Sequence, residues 1–146
     1  MAATVELREI TRDNWGECVR LAVADDQRHF VAPNVYSLAE SKFCPEMVPL
    51  ATYDGETMIG FTMYGHDTDE WWIIRLMTDV KYQDRGYGRA AMTEVIRRIR
   101  EQSPGTAILV SYEPTNAVAE KLYMSLGFEK TGQVEDGELV VRLPAE

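Results

Sequence analysis

The sequence predicts an α/β chain (α+β by some schemes) built on a single mixed, mostly antiparallel sheet with helices packed against it. Three observations carry that reading. Asp54-Gly55 and Asp136-Gly137 each stand between apolar runs and read as hairpin turns. Gly86 and Gly88 stand between an apolar run, Trp71 to Met77, and an amphipathic run, Ala90 to Ile99, so a strand feeds a turn that opens into a helix. Ala107 to Val110 is nearly continuous in apolar residues, as in parallel pairing, which makes the intervening helix one right-handed β-α-β crossover.

Taken in order, Val5 to Ile10 alternates imperfectly and reads as a first strand. Thr11-Arg12-Asp13 offers caps for a helix running to about Ala24, with Trp15, Cys18, Val19 and Ala22 at helical spacing. Asp25 to Asn34 is polar and reads as a loop or short broken helix, and Ser37 as the cap of a second helix that Pro45 stops. Pro49 to Tyr53 and Met58 to Tyr64 form the first hairpin, with Gly60 marking a bulge or a close backbone approach. His66 to Glu70 is an acidic loop before the third strand of the meander, Trp71 to Thr78. The helix from Gly88 to about Gln102 turns Ala91, Met92, Val95, Ile96 and Ile99 to one side, and Ser103-Pro104-Gly105 ends it. Pro114-Thr115-Asn116 starts a last helix, with Ala119, Leu122, Tyr123 and Leu126 inward and Gly127 terminating it. Phe128 to Val134 and Leu139 to Leu143 close the chain as a hairpin.

The totals narrow the function classes. Residues 1–146 read as one domain, and 45% apolar with 27% charged residues is the composition of an ordinary soluble globular protein. No apolar run approaches a membrane span, and Met-Ala-Ala-Thr-Val-Glu has neither the basic region nor the apolar core of a signal peptide. Cys18 and Cys44 have no metal-like or redox-like spacing, and read as thiols of a cytoplasmic protein. The net charge of −9 argues against nucleic acid as the main partner. That charge is uneven. Residues 1–80 hold 6 Lys+Arg against 14 Asp+Glu, whereas residues 81–100 hold 6 against 2, a positive patch at the glycine turn.

A helix opening leaves backbone N–H groups unpaired at the positive end of its dipole, and glycine lets a ligand come close to them. The turn therefore reads as a diphosphate cradle, with Arg85 and Arg89 beside it. Gly86-Tyr87-Gly88-Arg89-Ala90-Ala91 fits the dinucleotide fingerprint by letter, but the context rejects it. Asp79 to Arg85 is a polar spacer where a strand should end, and Thr106 and Ala107 stand where an acidic residue is needed. A P-loop is excluded because no Gly-Lys-Ser/Thr follows.

Gln83-x-x-Gly86-x-Gly88, after a strand and before an amphipathic helix, resembles the Q/R-x-x-G-x-G/A signature of the GCN5-related N-acetyltransferase superfamily. Asn116 to Phe128 is similar to that superfamily's N-x-x-x-x-x-x-Y-x-x-x-G-F segment, with Tyr123, Gly127 and Phe128 in register. The element order agrees along nearly the whole chain. The resemblance implies the acyl-CoA N-acyltransferase fold, in which the two central parallel strands splay apart. It implies acetyl-CoA as co-substrate, with no metal. The pyrophosphate would lie on the backbone of Asp84, Arg85, Gly86, Tyr87, Gly88 and Arg89, with Gln83 at the variable first position. The pantetheine arm would lie along Leu76, Met77 and Thr78. Asn116 and Ala119 would contact the arm, and Tyr123 would be the general acid for the departing thiolate. A homodimer is a common assembly in the family.

The base and the acceptor are less marked. Many members place a carboxylate on the strand ending in Leu-Met-Thr, where this chain reads Trp71-Trp72-Ile73-Ile74-Arg75. Glu70 and Glu113, acting through water, are the candidates for the base; the lone histidines His29 and His66 are weaker ones. Asp25, Asp26, Glu40, Glu46, Asp67, Asp69 and Glu70 would attract a cation, and Phe30, Tyr36, Tyr64, Trp71 and Trp72 could line a groove for an alkylammonium chain. Segments Asp26 to Lys42, Gly60 to Gly65 and Arg75 to Gly88 resemble bacterial spermine/spermidine (diamine) acetyltransferases, Ile74 being the departure. A polyamine or other small cationic amine is the expected acceptor. A protein N-terminus or lysine, or a non-catalytic acyl-CoA-binding role, are the alternatives.

Overall fold

The computed structural model describes residues 2–146. Seven strands form one sheet: β1 (Glu6–Glu9), β2 (Met47–Asp54), β3 (Thr57–Asp67), β4 (Glu70–Thr78), β5 (Ile108–Tyr112), β6 (Glu129–Glu135) and β7 (Glu138–Leu143). Four helices cover it: α1 (Trp15–Arg20), α2 (Asn34–Phe43), α3 (Tyr87–Gln102) and α4 (Ala117–Ser125). The order across the sheet is β1-β2-β3-β4-β5-β7-β6, antiparallel except for the β4–β5 pair. The mixed, mostly antiparallel sheet with one parallel pair is thus the architecture the sequence predicts.

Each face of the sheet has its own apolar cluster. On one, Met92, Val95 and Ile99 of α3 and Tyr123 of α4 pack on Ile73, Ile108, Val110 and Val141. On the other, Cys18 of α1 and Leu38 of α2 pack with Phe61, Met63 and Met77. Burial of four apolar positions along α3 follows its amphipathic period. Gly60 answers to a close approach, because a Cβ there would run into the Met77 carbonyl oxygen, and the β2–β3 register slips one residue beside it.

The parallel pair is short. Trp71, Trp72 and Ile73 pair with Ile108, Leu109 and Val110, and beyond them β4 and β5 part. In the β3–β4 register Met63 faces Arg75 and Tyr64 faces Ile73, so Ile74 is an extra residue, a bulge at the parting point. Past the bulge, β4 runs on to Thr78 paired only with β3, while β5 runs to Tyr112 paired with β7. A wedge opens between the two strand ends.

Several sequence-based boundaries are corrected. α1 stops at Arg20 rather than near Ala24, because Ala22 is drawn off the helix: its N–H donates to Asp79 Oδ1 (2.9 Å) and its carbonyl accepts from Val80 N–H (2.8 Å). α2 begins at Asn34, and Ser37, expected as its cap, lies buried one turn inside. The expected His66–Glu70 loop shrinks to a two-residue turn, Thr68-Asp69, with Thr68 at φ 50°.

Candidate active site

A groove of about 950 Å³ opens along the wedge. Its floor is the diverging ends of β4 and β5, one wall the Tyr82–Gly88 turn and α4, the other the chain between α1 and α2. A second cavity of about 440 Å³ adjoins it and shares Ile73, Ile74, Arg75, Ser111, Asp136 and Glu138 with it.

The turn is an arrangement of unpaired donors. Gly86 takes φ 84°, a left-handed conformation open to glycine, and Asp84 takes φ 64°. The first helical bond is Ala90 N–H to the Gly86 carbonyl. Among the described residues, the N–H groups of residues 84–89 donate to no protein acceptor. At Gly88 an added Cβ would meet only Leu122 Cδ2, at 3.5 Å, so the fold itself does not demand glycine there. Gly88 and Leu122 both line the groove.

The side chains around the turn are committed elsewhere. Arg85 Nη2 donates to the Lys81 carbonyl and its guanidinium stacks 5.7 Å from the Tyr82 ring, while Arg89 Nη2 donates to Ser125 Oγ; neither lines the groove. Gln83 lines it but is tied across it, Nε2 donating to Gln27 Oε1 (2.9 Å) and to the Thr78 carbonyl (3.1 Å). The Tyr87 hydroxyl donates to Asp54, which pushes its pKa up, with burial second. What the turn offers a ligand is therefore backbone.

Along β4, Leu76, Met77 and Thr78 line the groove with no strand partner on the β5 side. Asn116 caps α4, its Oδ1 accepting from Ala119 N–H at 3.2 Å, and both residues line the groove. The cap fixes where α4 begins and so where Tyr123 stands, two turns along. Its ring is buried between Tyr112 (5.9 Å) and Phe128 (5.8 Å). Burial, with Glu138 second, pushes the Tyr123 pKa up. Of the tyrosines lining the groove, Tyr112 and Tyr123 are in different states. Tyr112 donates to Glu120 Oε2 (2.7 Å), whereas the Tyr123 hydroxyl has no partner among the described residues.

Of the acids named from sequence, Glu113 lines neither cavity and accepts from Thr115 Oγ1 (3.2 Å). Glu70 lines the smaller cavity as the exposed first residue of β4, upstream of the bulge. Glu40, expected to attract a cation, is spent on Arg75: Oε1 lies 3.1 Å from Nη2, with the side chains 28% and 19% exposed. The aromatic reading is also corrected. Tyr64 and Trp71 belong to the α3–α4 side of the sheet, and Tyr36 stands exposed at 58% outside both cavities. Phe30 and Trp72 are the two of the five that line cavity walls. His29 lines the groove and His66 the smaller cavity, both exposed.

One group escaped sequence reasoning. Glu138, the first residue of β7, lines both cavities, and Ser111 Oγ on β5 donates to its Oε1 at 2.7 Å. Together with Glu46, Asp67, Glu70, Glu135 and Asp136 it makes the smaller cavity strongly acidic. The Asp-Gly turn before it was a signal for the hairpin. Nothing local signals that β7, rather than β6, lies against β5.

Comparison with known proteins agrees with this fold. A model of the Acetyltransferase (GNAT) family matches residues 4–128. The spermine/spermidine N(1)-acetyltransferase of Bacillus subtilis (strain 168) is 26% identical over 147 residues, covering 94% of this chain and 97% of that protein. The PaiA N-acetyltransferase of Thermoplasma acidophilum, solved in complex with coenzyme A, superposes with a TM-score of 0.70 at 13% identity, over 97% of this chain and 99% of that one. The ribosomal-protein-S18-alanine N-acetyltransferase of Escherichia coli superposes with a TM-score of 0.73 at 19% identity, over 98% and 95% of the two chains.

Proposed function

This chain belongs to the GNAT acetyltransferase family and is an acetyl-CoA-dependent acetyltransferase; from that premise we propose that it acetylates a polyamine or another small cationic amine, by direct attack within a ternary complex. The observation that carries the reading is the wedge. Among the described residues, a run of six peptide N–H groups without acceptors, four of whose residues line the groove, meets a β4 edge and a tyrosine hydroxyl that also lack partners, and an acidic cavity opens beside them.

The residues present fit the donor. The N–H groups of residues 84–89 would hold its diphosphate at the positive end of α3, with Gly86 and Gly88 giving the approach. Leu76, Met77 and Thr78 would pair with the pantetheine arm, and Asn116 and Ala119 would flank it. Bound acetyl-CoA supplies an acetyl group activated as a thioester. The protein's part is then placement and protons. Backbone N–H groups at the end of β4 stabilise charge on the carbonyl oxygen. Tyr123 holds a proton at Oη toward the sulfur. Its raised pKa keeps it protonated throughout the neutral range, so it is always in the donating form.

The acidic cavity supports a cationic acceptor. A multiply charged amine gains from several carboxylates at once, and that gain weakens as salt screens it. The relative from B. subtilis, by its printed name, acts on such amines. A homodimer is the assembly we expect from the family resemblance, to be read by sedimentation.

The test is release of CoA thiol across spermine, spermidine, lysine-containing peptides and peptides with free N-termini. Polyamines should give the highest kcat/KM, with a KM that rises with ionic strength. A preference for N-terminal or lysine peptides overturns the acceptor assignment, and CoA binding without thiol release with any amine overturns the catalytic one.

A further inference from the structure

We propose that Glu138 is the proton acceptor for the amine, held in place by Ser111, and that it passes the proton on toward Tyr123. The inference rests on the acetyltransferase reading above and names a residue for it.

The geometry is specific. Glu138 lies on β7 beside β5, where β5 has already parted from β4, and it lines both the groove and the acidic cavity. Ser111 Oγ donates to Oε1 at 2.7 Å, which fixes the carboxylate and leaves Oε2 without a partner among the described residues. Leu139, Val141 and Leu143 pack toward α3 and α4 as β7 alternates, and Glu138 falls on the opposite side with Ser111. That side is where the second cavity lies. Glu138 and Tyr123 line the same groove, and after burial the carboxylate's charge is the second cause that raises the phenol's pKa. The other charged or titratable groups on these cavities are Arg75 on β4, already paired with Glu40, the turn acids Glu135 and Asp136, Glu46, Asp67 and Glu70, the histidines His29 and His66, and Asp26, Arg28 and Asp84 on the groove walls. None of the acids has a hydrogen-bonded mount like that of Glu138 among the described residues.

The proton count closes. A neutral amine nitrogen forms the C–N bond to the acetyl carbon as the C–S bond breaks. The nitrogen's N–H becomes acidic as that bond forms, and Glu138 Oε2 takes the proton. Tyr123 Oη gives a proton to the sulfur and regains one from Glu138 through water in the groove. Amine and thioester become amide and thiol, and both side chains return to their starting states.

The experiment compares the wild type with Glu138→Gln, Ser111→Ala and Glu70→Gln, using spermine and a fixed acetyl-CoA concentration. Glu138→Gln should lower kcat by about a hundredfold, within the usual range for general bases, and should remove the acid limb of the kcat–pH profile. Ser111→Ala should lower kcat about tenfold at little change in KM. Independently of turnover, the alkaline absorbance titration of tyrosinate should show one tyrosine ionising at lower pH in Glu138→Gln than in wild type, and that difference should vanish in a Tyr123→Phe background. A Glu138→Gln loss below tenfold, a retained acid limb, an unmoved tyrosine titration, or a larger loss in Glu70→Gln overturns the assignment. A wild type inactive with every amine instead overturns the acetyltransferase reading, while the tyrosine titration still reports on the Glu138–Tyr123 pair. If Glu138→Gln fails to fold, Glu138→Asp carries the same test. It shortens the reach to Ser111 and should reproduce the kcat loss.

Discussion

The two sides of the wedge are built from different material. The side formed by the Tyr82–Gly88 turn, α3 and α4 presents backbone: unpaired N–H groups, a positive-φ glycine and a helix cap. The side formed by the acidic cavity presents side chains that come from β3, β4 and the β6–β7 hairpin. A backbone site is set by local spacing and suits a cofactor common to a whole family. A side-chain site is set by which strands lie together, and single substitutions can retune it for a new amine.

The largest effect should come from cutting the tie between the cradle and the wall opposite it, the chain between α1 and α2. Asp79, 6% exposed at the end of β4, accepts from Ala22 N–H (2.9 Å) and Lys81 N–H (3.1 Å), joining the α1–α2 connection to the start of the cradle. Bonds to a buried carboxylate contribute about 1.5 kcal/mol or more each, so Asp79→Ala should cost about 3 kcal/mol in urea denaturation. A cost below about 1 kcal/mol would mean that the cradle and that wall are joined some other way. Next comes Tyr123→Phe, expected to reduce kcat about a hundredfold, close to 2.7 kcal/mol in the barrier, with CoA affinity unchanged. Full activity across the pH range removes the general acid. It would also turn attention to Tyr112, the phenol in the groove whose hydroxyl is engaged by Glu120.

That contrast also explains what the sequence disclosed. The glycine turn that opens α3, the Asn116 cap and the position of Tyr123 were legible because each follows from residues within one or two turns of chain. The sheet class was legible from two Asp-Gly turns and one crossover. Glu138 was not, because its role depends on β7 lying between β5 and β6, a long-range pairing that no local pattern encodes. The bulge at Ile74 had no sequence signal either, although it marks where β4 and β5 part. Tyr64 was misread because the side of the sheet it faces follows from strand register, and it lies under α3 with its hydroxyl accepting from Gln102 Nε2. The end of α1 was set by a contact 57 residues away, Ala22 with Asp79, which outweighed the helical period.

A smaller effect sharpens the claim that the donor side is backbone. An added Cβ at Gly88 meets nothing closer than Leu122 Cδ2 at 3.5 Å. Gly88→Ala should therefore keep stability within about 1 kcal/mol, the scale of the helix-propensity difference. It should weaken CoA binding about tenfold, or roughly 1.4 kcal/mol, because the methyl occupies the space the diphosphate needs. Calorimetric titration with CoA reads the second and urea denaturation the first. Unchanged CoA affinity would move the diphosphate off this turn.

Alkaline titration should separate the two faces by pH, at the smallest cost. Cys18, fully buried on the side of α1 that faces the sheet, has its pKa pushed from 9.0 up to about 12 by burial first and Glu17 second. On the other face burial, then Glu120, raises Tyr112 from 10.0 to about 12, and Tyr123 is raised further. A group with a raised folded pKa contributes its full stability below the unfolded pKa and loses it as pH climbs toward the folded one. The thiol face therefore weakens first, from pH 9, by about 1.4 kcal/mol at pH 10, and the tyrosine face follows only above pH 10. Urea midpoints at half-unit steps from pH 8 to 11 should bend at pH 9 in the wild type. Cys18→Ala should start lower, for the lost packing, but stay flat to pH 10, whereas Tyr123→Phe should keep the bend at 9 and fall less steeply than the wild type above 10, where Cys18 and Tyr112 still contribute. An unaltered bend in Cys18→Ala would place the first alkaline weakness elsewhere than between α1 and the sheet.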